Sequence, residues 1–423
     1  MTASPGGRAR ILVLATTVPA KLGDGTPEFV VSLARALSRD NDVTILTPSV
    51  PGAAPREHSG GVEIVRFRYV PRQFEGIAAG AIMANLAAEP WRVAEVPPLM
   101  LAFLSASVRE IRRARPAVIH AHWLLPAGLI ALSLCKMYGI PYIVTAHAAD
   151  VFRFRGAPFR ALKRTVMAKA AVATPVSRET ASILGIPPEQ AERLVVPMGV
   201  EIDRIQGDVG ERAPEFARFL FVGRLVEKKG VDVLLRALAE LREGRLVVVG
   251  DGPSRPMLEE LAAELGLSTR VTFAGQQGRE RVAEELRLAH ALVIPSRVAA
   301  DGDADGTPVV MSEGMAAGVP IIASSLGGLA EHITSGRNGL LVKANDPDAL
   351  ADGLRRVLED RKEATTWSEA ALTTMREQLD IRVTAQRYQH FIDAALVPRA
   401  DGAASGESLR FVATTNSVKG KRR

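Results

Sequence analysis

Residues 217–250 read ARFLFVGRLVEKKGVDVLLRALAELREGRLVVVG, and this stretch decides the fold. FLFVG and RLVVVG are aliphatic runs of strand length, and the apolar residues of VDVLLRALAELREG between them recur at helical spacing. A strand, a helix and a second strand in this order are typical of a parallel βαβ unit, whose buried strands are aliphatic throughout. The stretch therefore predicts a parallel sheet that is covered by helices.

The same alternation extends from this unit in both directions. Further predicted strands are RVTFAG, ALVIPS and VPIIAS on the carboxyl side, and RILVLATT, DVTILTP, AVIHAHW, YIVTAHA, VATPVS and RLVVP on the amino side. The polar residues 199–216 form the predicted linker, and residues 72–108, rich in Ala and Pro, are predicted to be a looser, substrate-facing insertion. We therefore predict an α/β fold with two Rossmann-like, doubly wound parallel-sheet domains that face each other across a cleft.

Length and composition limit the class of protein. The 423 residues are too many for one ordinary domain, and a hydrophobic content of 47% is enough for two cores. The longest apolar stretch, GIAAGAIMANLAAEPW, is too short and too interrupted for a transmembrane helix, and no signal-peptide cleavage site follows the first residues. Cys135 is the only cysteine, which excludes an intrachain disulfide and disfavours a cysteine-based zinc site. A cytoplasmic protein is expected.

Most of the net charge of +6 lies at the carboxyl end of the chain. Residues 398–423 contribute +4, are rich in Ala, Gly, Ser and Thr, and are predicted to be a disordered basic tail. Their KGKRR end is either solvated or makes a peripheral contact with the inner face of a membrane. The basic clusters at residues 109–116 and 152–164 are compatible with acidic substrates or lipid headgroups. The rest of the chain is nearly neutral, so no nucleic-acid partner is predicted.

The acidic loop DGDADGTPVVMSEG, residues 301–314, allows three interpretations. A calcium loop would need its last acid at the position of Ser312, and a helix before the loop where ALVIPS predicts a strand. An Asp-x-Asp grip on a magnesium-bound sugar nucleotide fits DGD or DAD, and a solvated loop fits as well. The loop alone does not decide between them.

Gly223, Arg224 and Lys229 lie between a predicted strand and a predicted helix. A guanidinium and an ammonium group at a helix entrance make a good clamp for a diphosphate. The alternative is two surface cations, which the helix dipole disfavours at this end. The turn VVGDGP around Gly252 lets backbone amides approach a ligand. The glycine loops lack the G-x-G-x-x-G spacing of a dinucleotide fold, which disfavours a dehydrogenase.

Histidines follow two of the predicted strands. His147, in TAHAAD, lies at a strand end, where a lone histidine is either structural or binds substrate, and Asp150 is either its partner or a helix cap. His120 and His122 share one face of their strand, which allows a metal pair, an acceptor contact or packing, but no third metal ligand is evident. We expect these side chains to face the cleft.

A set of motifs over roughly residues 8–395 resembles the retaining glycosyltransferases of family 4, which have the GT-B fold. The motifs are FVGRLVEKKG, VVGDGP, FAG, DGTPVVMSEGMAAGVPIIAS, GGLAEHI and GRNGLLV in the carboxyl half, and GDGTPEFVVSLARAL, IHAHWLLPAG and VTAHAADV in the amino half. Three positions depart from the family's pattern. Asp305 stands where the first acid of the family's E-x7-E pair is Glu, Gly314 replaces the usual Ala, and Met198 replaces the usual Asn.

The resemblance implies a donor-binding role for the second half of the acidic loop. Glu313 would accept hydrogen bonds from the ribose hydroxyls. Asp305 would face the hydroxyls of the transferred sugar, together with the amides of Gly306 and Thr307. Glu331, in GGLAEHI, is either a helix-start acid or a residue that lines the donor pocket, and its role stays open.

The resemblance also implies how the diphosphate is held. Arg224 and Lys229 would neutralise it as the glycosidic bond breaks, with Gly223 and Gly252 in the donor-binding loops. His147 would help to hold the donor sugar near its anomeric carbon. His147, Arg224, Lys229 and Asp305 are thus the predicted catalytic set, and neither a metal ion nor another cofactor is expected.

The first domain would supply the remaining contacts. Gly25 would approach the donor phosphates, and Asp24, His122 and Asp150 are candidates for contact with the acceptor. Asp24, Gly25 and Asp150 lie in loops that follow predicted strands, and His122 lies near the end of the predicted strand AVIHAHW.

The same resemblance assigns functions to the predicted domains. Residues 1–197 would form an acceptor-binding domain and residues 198–380 a nucleotide-sugar-binding domain. Residues 381–397 would form a helix that crosses back to the first domain. The implied activity is a metal-independent, retaining transfer of a hexose from a nucleotide diphosphate sugar, UDP- or GDP-linked, to a hydroxyl of a glycan, a lipid-linked acceptor or a small molecule. A non-catalytic sugar-nucleotide binder and an epimerase or phosphorylase of the same fold remain alternatives.

Overall fold

Two parallel sheets follow one another along the chain, and helices cover both faces of each. The computed structural model of the protein describes residues 8–20, 28–80, 82–147, 151, 156–205, 217–300, 302–305 and 307–397. Within these residues all strand pairs of the two sheets are parallel except the pair formed by Arg56–Ser59 and Val62–Phe67. The predicted α/β architecture with two parallel-sheet domains is confirmed.

The first sheet has the strand order β3-β4-β2-β1-β5-β6-β7. Its strands are β1 (Ala9–Leu14), β2 (Asn41–Pro48), β3 (Arg56–Ser59), β4 (Val62–Phe67), β5 (Val118–His122), β6 (Tyr142–Ala146) and β7 (Val172–Pro175). The chain winds outward from β1 and then restarts at β5 on its other side, so a topological switch point lies between β1 and β5. β3 and β4 are not among the predicted strands. The edge strand β3, with the sequence REHS, has no aliphatic pattern, whereas β4, with the sequence VEIVRF, has one and was missed. The predicted strand RLVVP was wrong, since it begins inside the helix Pro188–Leu194.

The helices of the first half pack around this sheet. They are α1 (Phe29–Leu37), α2 (Ile82–Ala88), α3 (Val96–Ala114), α4 (Leu129–Tyr138), α5 (Ala157–Lys169), α6 (Arg178–Ile183) and α7 (Pro188–Leu194). The prediction of a loose insertion over residues 72–108 was wrong, because this range contains α2 and most of α3. Leu99 and Phe103 lie on the buried face of α3. Prolines occupy its first turn, where backbone N–H groups have no partner within the helix, so the N–H that proline lacks costs no hydrogen bond.

The second sheet repeats the design with the strand order β10-β9-β8-β11-β12-β13. Its strands are β8 (Arg218–Val222), β9 (Arg245–Val249), β10 (Val271–Gly275), β11 (Ala291–Ile294), β12 (Ile321–Ser324) and β13 (Leu340–Val342). Its helices are α8 (Val231–Ala239), α9 (Arg255–Glu264), α10 (Arg279–Leu288), α11 (Val309–Ala316), α12 (Gly327–His332), α13 (Pro347–Glu359) and α14 (Arg361–Thr374). Phe219 and Phe221 belong to one apolar cluster, and Leu220 between them belongs to another on the opposite face. Both faces are buried, which explains the continuous aliphatic strands.

The last described helix, α15 (Ile381–Leu396), packs on the first domain. Tyr388 and Phe391 are buried in the apolar cluster of that domain. The chain crosses over beside Val200, whose N–H donates to the Leu379 carbonyl, while the N–H of Ile381 donates to the carbonyl of Val200. The side-chain amide of Gln389 accepts a hydrogen bond from Asn41 Nδ2 at 2.7 Å. Within the part of the chain that the structure describes, no helix combines the length and apolarity needed to cross a membrane.

Candidate active site

The predicted cation pair lies at the carboxyl end of β8, beside the switch point of the second sheet. Arg224 is exposed, and Lys229 ends a short 3-10 turn, Glu227–Lys229, just before α8. Gly230 adopts a φ of +63°, and a Cβ atom there would lie 2.0 Å from the carbonyl oxygen of Pro295. Only glycine fits this approach. It brings Lys229 next to the loop that follows β11.

Two glycine loops meet at the same edge of the sheet. The N–H of Gly223 donates to the Val249 carbonyl at 2.9 Å. A Cβ atom at Gly252 would lie 2.4 Å from the carbonyl oxygen of Leu225, so the turn after β9 rests directly on the backbone after β8. Gly223 and Gly252, which we predicted to bind the donor, are therefore neighbours beside Arg224.

Asp305 lies against the ammonium groups of the β8 loop. Its Oδ2 is 2.8 Å from Lys229 Nζ and accepts a hydrogen bond from the Ser296 hydroxyl at 2.8 Å, and its Oδ1 is 3.5 Å from Lys228 Nζ. Burial alone would raise the pKa of Asp305, but the two lysines and the two hydrogen bonds outweigh burial and hold its pKa below the ordinary value. Asp305 is thus a charged carboxylate at neutral pH, paired with the cation that we predicted to bind phosphate.

The neighbouring acid of the loop is also paired with a lysine. Asp303 lies 3.3 Å from Lys228 Nζ. Asp303 and Asp305, which a calcium or magnesium site would have used as ligands, therefore both face ammonium groups. Asp301 lies outside the described residues. Among those that are described, no three His, Cys, Asp or Glu side chains converge as metal ligands.

Glu313 faces the junction of the two domains from α11. Burial raises its pKa, Arg279 partly offsets this effect, and Glu28 adds to it. Arg279, at the start of α10 in the second domain, donates from Nη1 to Glu28 Oε2 of the first domain at 2.8 Å. An ion pair that spans the two domains therefore lies beside the acid that the resemblance assigns to the ribose.

The site histidines of the first domain form a buried stack. His122 Nδ1 lies 3.2 Å from His147 Nε2, and the rings of Trp123 and Phe29 lie 4.8 and 5.0 Å from that of His147. Burial lowers the pKa of His147 to about 3 and that of His122 well below its ordinary value. Both imidazoles are neutral at physiological pH, so His147 offers a hydrogen bond rather than a proton for general acid catalysis.

His120 belongs to a hydroxyl network rather than to a metal pair. Its Nε2 lies 2.9 Å from Thr145 Oγ1, which is also 2.8 Å from the Tyr388 hydroxyl. The Tyr388 hydroxyl in turn lies 3.1 Å from Thr174 Oγ1. The helix that crosses back from the second domain thus supports the strand that carries His147. Nothing in the sequence pattern linked Tyr388 to this site.

Glu331, whose role the sequence left open, joins the two domains. Its carboxylate accepts hydrogen bonds from the backbone N–H groups of Arg178 at 2.8 Å and Glu179 at 3.0 Å, at the start of α6 in the first domain. The Glu179 side chain then points into a small cavity that Ser296 and Asp305 also line. Sequence reasoning missed Glu179, which reads as an ordinary acid in the first turn of a helix.

Four of the predicted site residues cannot be placed relative to these groups, and a fifth, Thr307, can. Asp24, Gly25, Asp150 and Gly306 lie outside the described residues. Thr307 is described, and its buried Oγ1 has no hydrogen-bond partner in the described part of the protein. A buried hydroxyl without a partner is costly, so Thr307 is available to a ligand.

Two family models together match most of the chain. Glycosyltransferase Family 4 matches residues 23–204, and Glycosyl transferases group 1 matches residues 207–374. A D-inositol 3-phosphate glycosyltransferase of Nocardia farcinica is 31% identical over 330 residues, which cover 67% of this chain and 69% of that protein.

Solved structures share the fold over the same extent. Sucrose-phosphate synthase of Thermosynechococcus elongatus superposes with a TM-score of 0.75 at 22% identity and covers 92% of this chain and 100% of its own. HepE of Anabaena, solved in complex with UDP-glucose, has a TM-score of 0.69 at 17% identity and covers 91% of this chain and 99% of its own. The two-domain arrangement of this chain is therefore a known one.

Proposed function

The chain belongs to glycosyltransferase family 4, and we propose that it transfers a hexose from a nucleotide diphosphate sugar to a hydroxyl of a glycan, lipid or small-molecule acceptor, with retention and without a metal ion. The complex of HepE with UDP-glucose supports a nucleotide sugar as the donor. The site residues of the second domain support the same class of ligand.

The contact between Lys229 and Asp305 carries this proposal. A nucleotide diphosphate sugar has two anionic phosphates directly beside a ring of hydroxyl groups. Its recognition therefore needs a cation next to a hydrogen-bond acceptor, and these two groups lie 2.8 Å apart at the carboxyl edge of the sheet. When the donor binds, Lys229 and Arg224 would take the diphosphate, and Asp305 would accept hydrogen bonds from the sugar.

The cations then act on the leaving group. As the bond between the anomeric carbon and the phosphate oxygen breaks, negative charge develops on the diphosphate beside Lys229 and Arg224, which stabilise it. The acceptor hydroxyl attacks the oxocarbenium-like carbon from the same face, its oxygen forms the new glycosidic bond, and its proton passes to an oxygen of the departing diphosphate. Neutral His147 would hold the sugar by a hydrogen bond and is not the base.

Metal independence rests on the positive charge that this loop already contains. Lys228 and Lys229 neutralise Asp303 and Asp305, so a divalent ion would have to displace an ammonium group from each carboxylate. The diphosphate would meet fixed cations instead, as at other phosphate sites.

The proposal is tested in two steps. Thermal shifts with UDP-, GDP-, ADP- and TDP-sugars identify the donor, because a ligand that binds the folded state raises Tm. Transfer to a panel of hydroxyl acceptors is then measured in EDTA, and the anomeric configuration of the product is read by NMR. We expect turnover in EDTA and retention. Strict dependence on added divalent metal would contradict the metal-free mechanism, and an inverted product would contradict retention.

A further inference from the structure

We infer that Glu179 of the first domain binds a hydroxyl of the transferred sugar, opposite Asp305 of the second domain. This inference rests on the proposed function and names a contact in the same site. It follows from where the Glu179 carboxylate lies and from what it does not do in its own helix.

The Glu179 side chain lies at the same small cavity as Asp305, although the two residues belong to different domains. It lines a small cavity together with Ser296, Asp305 and Gly327. A Cβ atom at Gly327 would lie 2.2 Å from Glu179 Oε2 and 3.3 Å from the carbonyl oxygen of Asp305. With its φ of +44°, Gly327 leaves the space that a side chain would otherwise take from Glu179.

Glu179 has no capping role that would explain this position. At the start of α6 the N–H groups of residues 178 and 179 donate to Glu331. The N–H of Thr180 donates to Ser177 Oγ at 3.1 Å, and the N–H of Ala181 donates to the Ser177 carbonyl. The first turn is therefore satisfied without the Glu179 side chain.

One oxygen of the Glu179 carboxylate, Oε2, is left unpaired beside Gly327. Glu179 Oε2 is buried and has no hydrogen-bond partner among the described residues. Burial raises the pKa of Glu179, and the nearby Glu331 carboxylate raises it further. An unpaired buried carboxylate oxygen is costly, and a hydroxyl donor relieves that cost. The Ser296 hydroxyl, which also lines the cavity, already donates to Asp305 and is not available to Glu179.

The position also makes this contact depend on the closed cleft. Glu331 belongs to α12 of the second domain and holds the backbone of Glu179 in the first. Glu179 and Asp305 thus line the same cavity only when the domains meet in this arrangement. A sugar held between these two carboxylates would be bound by both domains at once.

The test separates the sugar from the nucleotide. Isothermal titration compares UDP-glucose with UDP and GDP-mannose with GDP, for the wild-type protein, Glu179→Ala, Glu179→Gln and the control Glu192→Ala. Glu192 is an exposed acid on the neighbouring helix α7. We expect the wild type to bind one nucleotide sugar more tightly than its diphosphate. Glu179→Ala should lower the affinity for that nucleotide sugar about tenfold or more and leave the affinity for the diphosphate unchanged. Glu192→Ala should leave both affinities at the wild-type values.

Each other outcome overturns the inference in a recognisable way. If Glu179→Ala still binds the nucleotide sugar more tightly than the diphosphate by the wild-type factor, Glu179 does not bind the sugar. If Glu179→Ala and Glu179→Gln both also bind the diphosphate more weakly than the wild type does, the residue is structural. A wild-type protein that binds UDP or GDP but gains nothing from the sugar has no sugar contact at Glu179, whereas one that binds no nucleotide in the wider panel contradicts the proposed function itself.

Discussion

Asp305 Oδ2 and Lys229 Nζ lie 2.8 Å apart although 76 positions separate the two residues in the chain. The contact exists because β8 and β11 are neighbours in the sheet, so the loops after them share one edge. Lys229 Nζ donates a hydrogen bond to this carboxylate. A diphosphate that enters the loop replaces one anionic partner of this lysine by another.

Lys229→Ala should reduce kcat/KM for transfer by about 30-fold to 1000-fold, because removing one charge contact to the leaving diphosphate costs roughly 2–4 kcal/mol in the transition state. Steady-state kinetics with the identified donor measure the loss. Asp305 keeps Ser296 and Lys228 as partners, so we expect the variant to fold.

Two further lysine variants make this result specific. Lys228→Ala, which alters the adjacent ammonium group, should cost less, and Lys362→Ala, on the surface of α14, should cost nothing. Wild-type kinetics for Lys229→Ala would remove the lysine from the proposed diphosphate clamp.

Tyr388→Phe should lower the stability of the first domain by roughly 1–3 kcal/mol, because it removes a buried hydroxyl that bonds Thr145 and Thr174. A decrease of several degrees in Tm is the expected measurement. Tyr138→Phe, at the exposed end of α4, is the matched control and should leave Tm unchanged. An equal Tm for the two variants would show that the network contributes nothing to stability.

The Tyr388 network shows where sequence reasoning stops. Alternation along VIHAHW predicted that His120 and His122 share a face, and their ring centroids lie 4.4 Å apart. The partner of His120 is Thr145 on the next strand, and the Tyr388 hydroxyl that supports Thr145 comes from a helix 243 positions later. Such partners depend on the order of the strands in the sheet and on how a distant helix packs. The hydrophobic periodicity of a sequence specifies neither of these.

The same limit applies to the second domain. The aliphatic runs predicted the strands before Gly223 and before the acidic loop, and the motif resemblance predicted that Lys229 and Asp305 share a ligand. The direct contact between them, and the arrival of Glu179 from the first domain, follow from the switch point and from domain closure. Glu179 could not be identified from the sequence, because its side chain is free of a capping role only since Glu331 accepts the N–H groups at the start of α6.

The stability of the protein should fall as the pH drops below about 6.5. The folded chain keeps His120 and His147 neutral, with pKa values of about 3, whereas the unfolded chain protonates them near pH 6.5. The unfolded state then binds more protons. The stability from each histidine is complete above pH 6.5 and is lost as the pH falls towards 3, at about 1.4 kcal/mol per pH unit.

A histidine variant checks this sign. His147→Asn removes one such group, so its Tm should fall less steeply than that of the wild type between pH 7 and pH 5. His390→Asn, which changes an exposed histidine on α15, should follow the wild type. A parallel pH dependence for His147→Asn and the wild type would contradict the buried neutral state of His147.

Glu331→Ala should weaken closure of the two domains. The carboxylate accepts two backbone N–H groups across the junction, and hydrogen bonds to a charged group contribute roughly 1.5–3 kcal/mol each. Their loss should raise the KM for the donor at least about tenfold, because donor binding must then close the cleft without this contact. Small-angle X-ray scattering should report a larger radius of gyration for the variant, while Tm changes little because both cores stay intact.

Glu359→Ala, at the exposed end of α13, is the control and should match the wild type. A Glu331→Ala protein with an unchanged KM and an unchanged scattering profile would show that closure does not depend on Glu331.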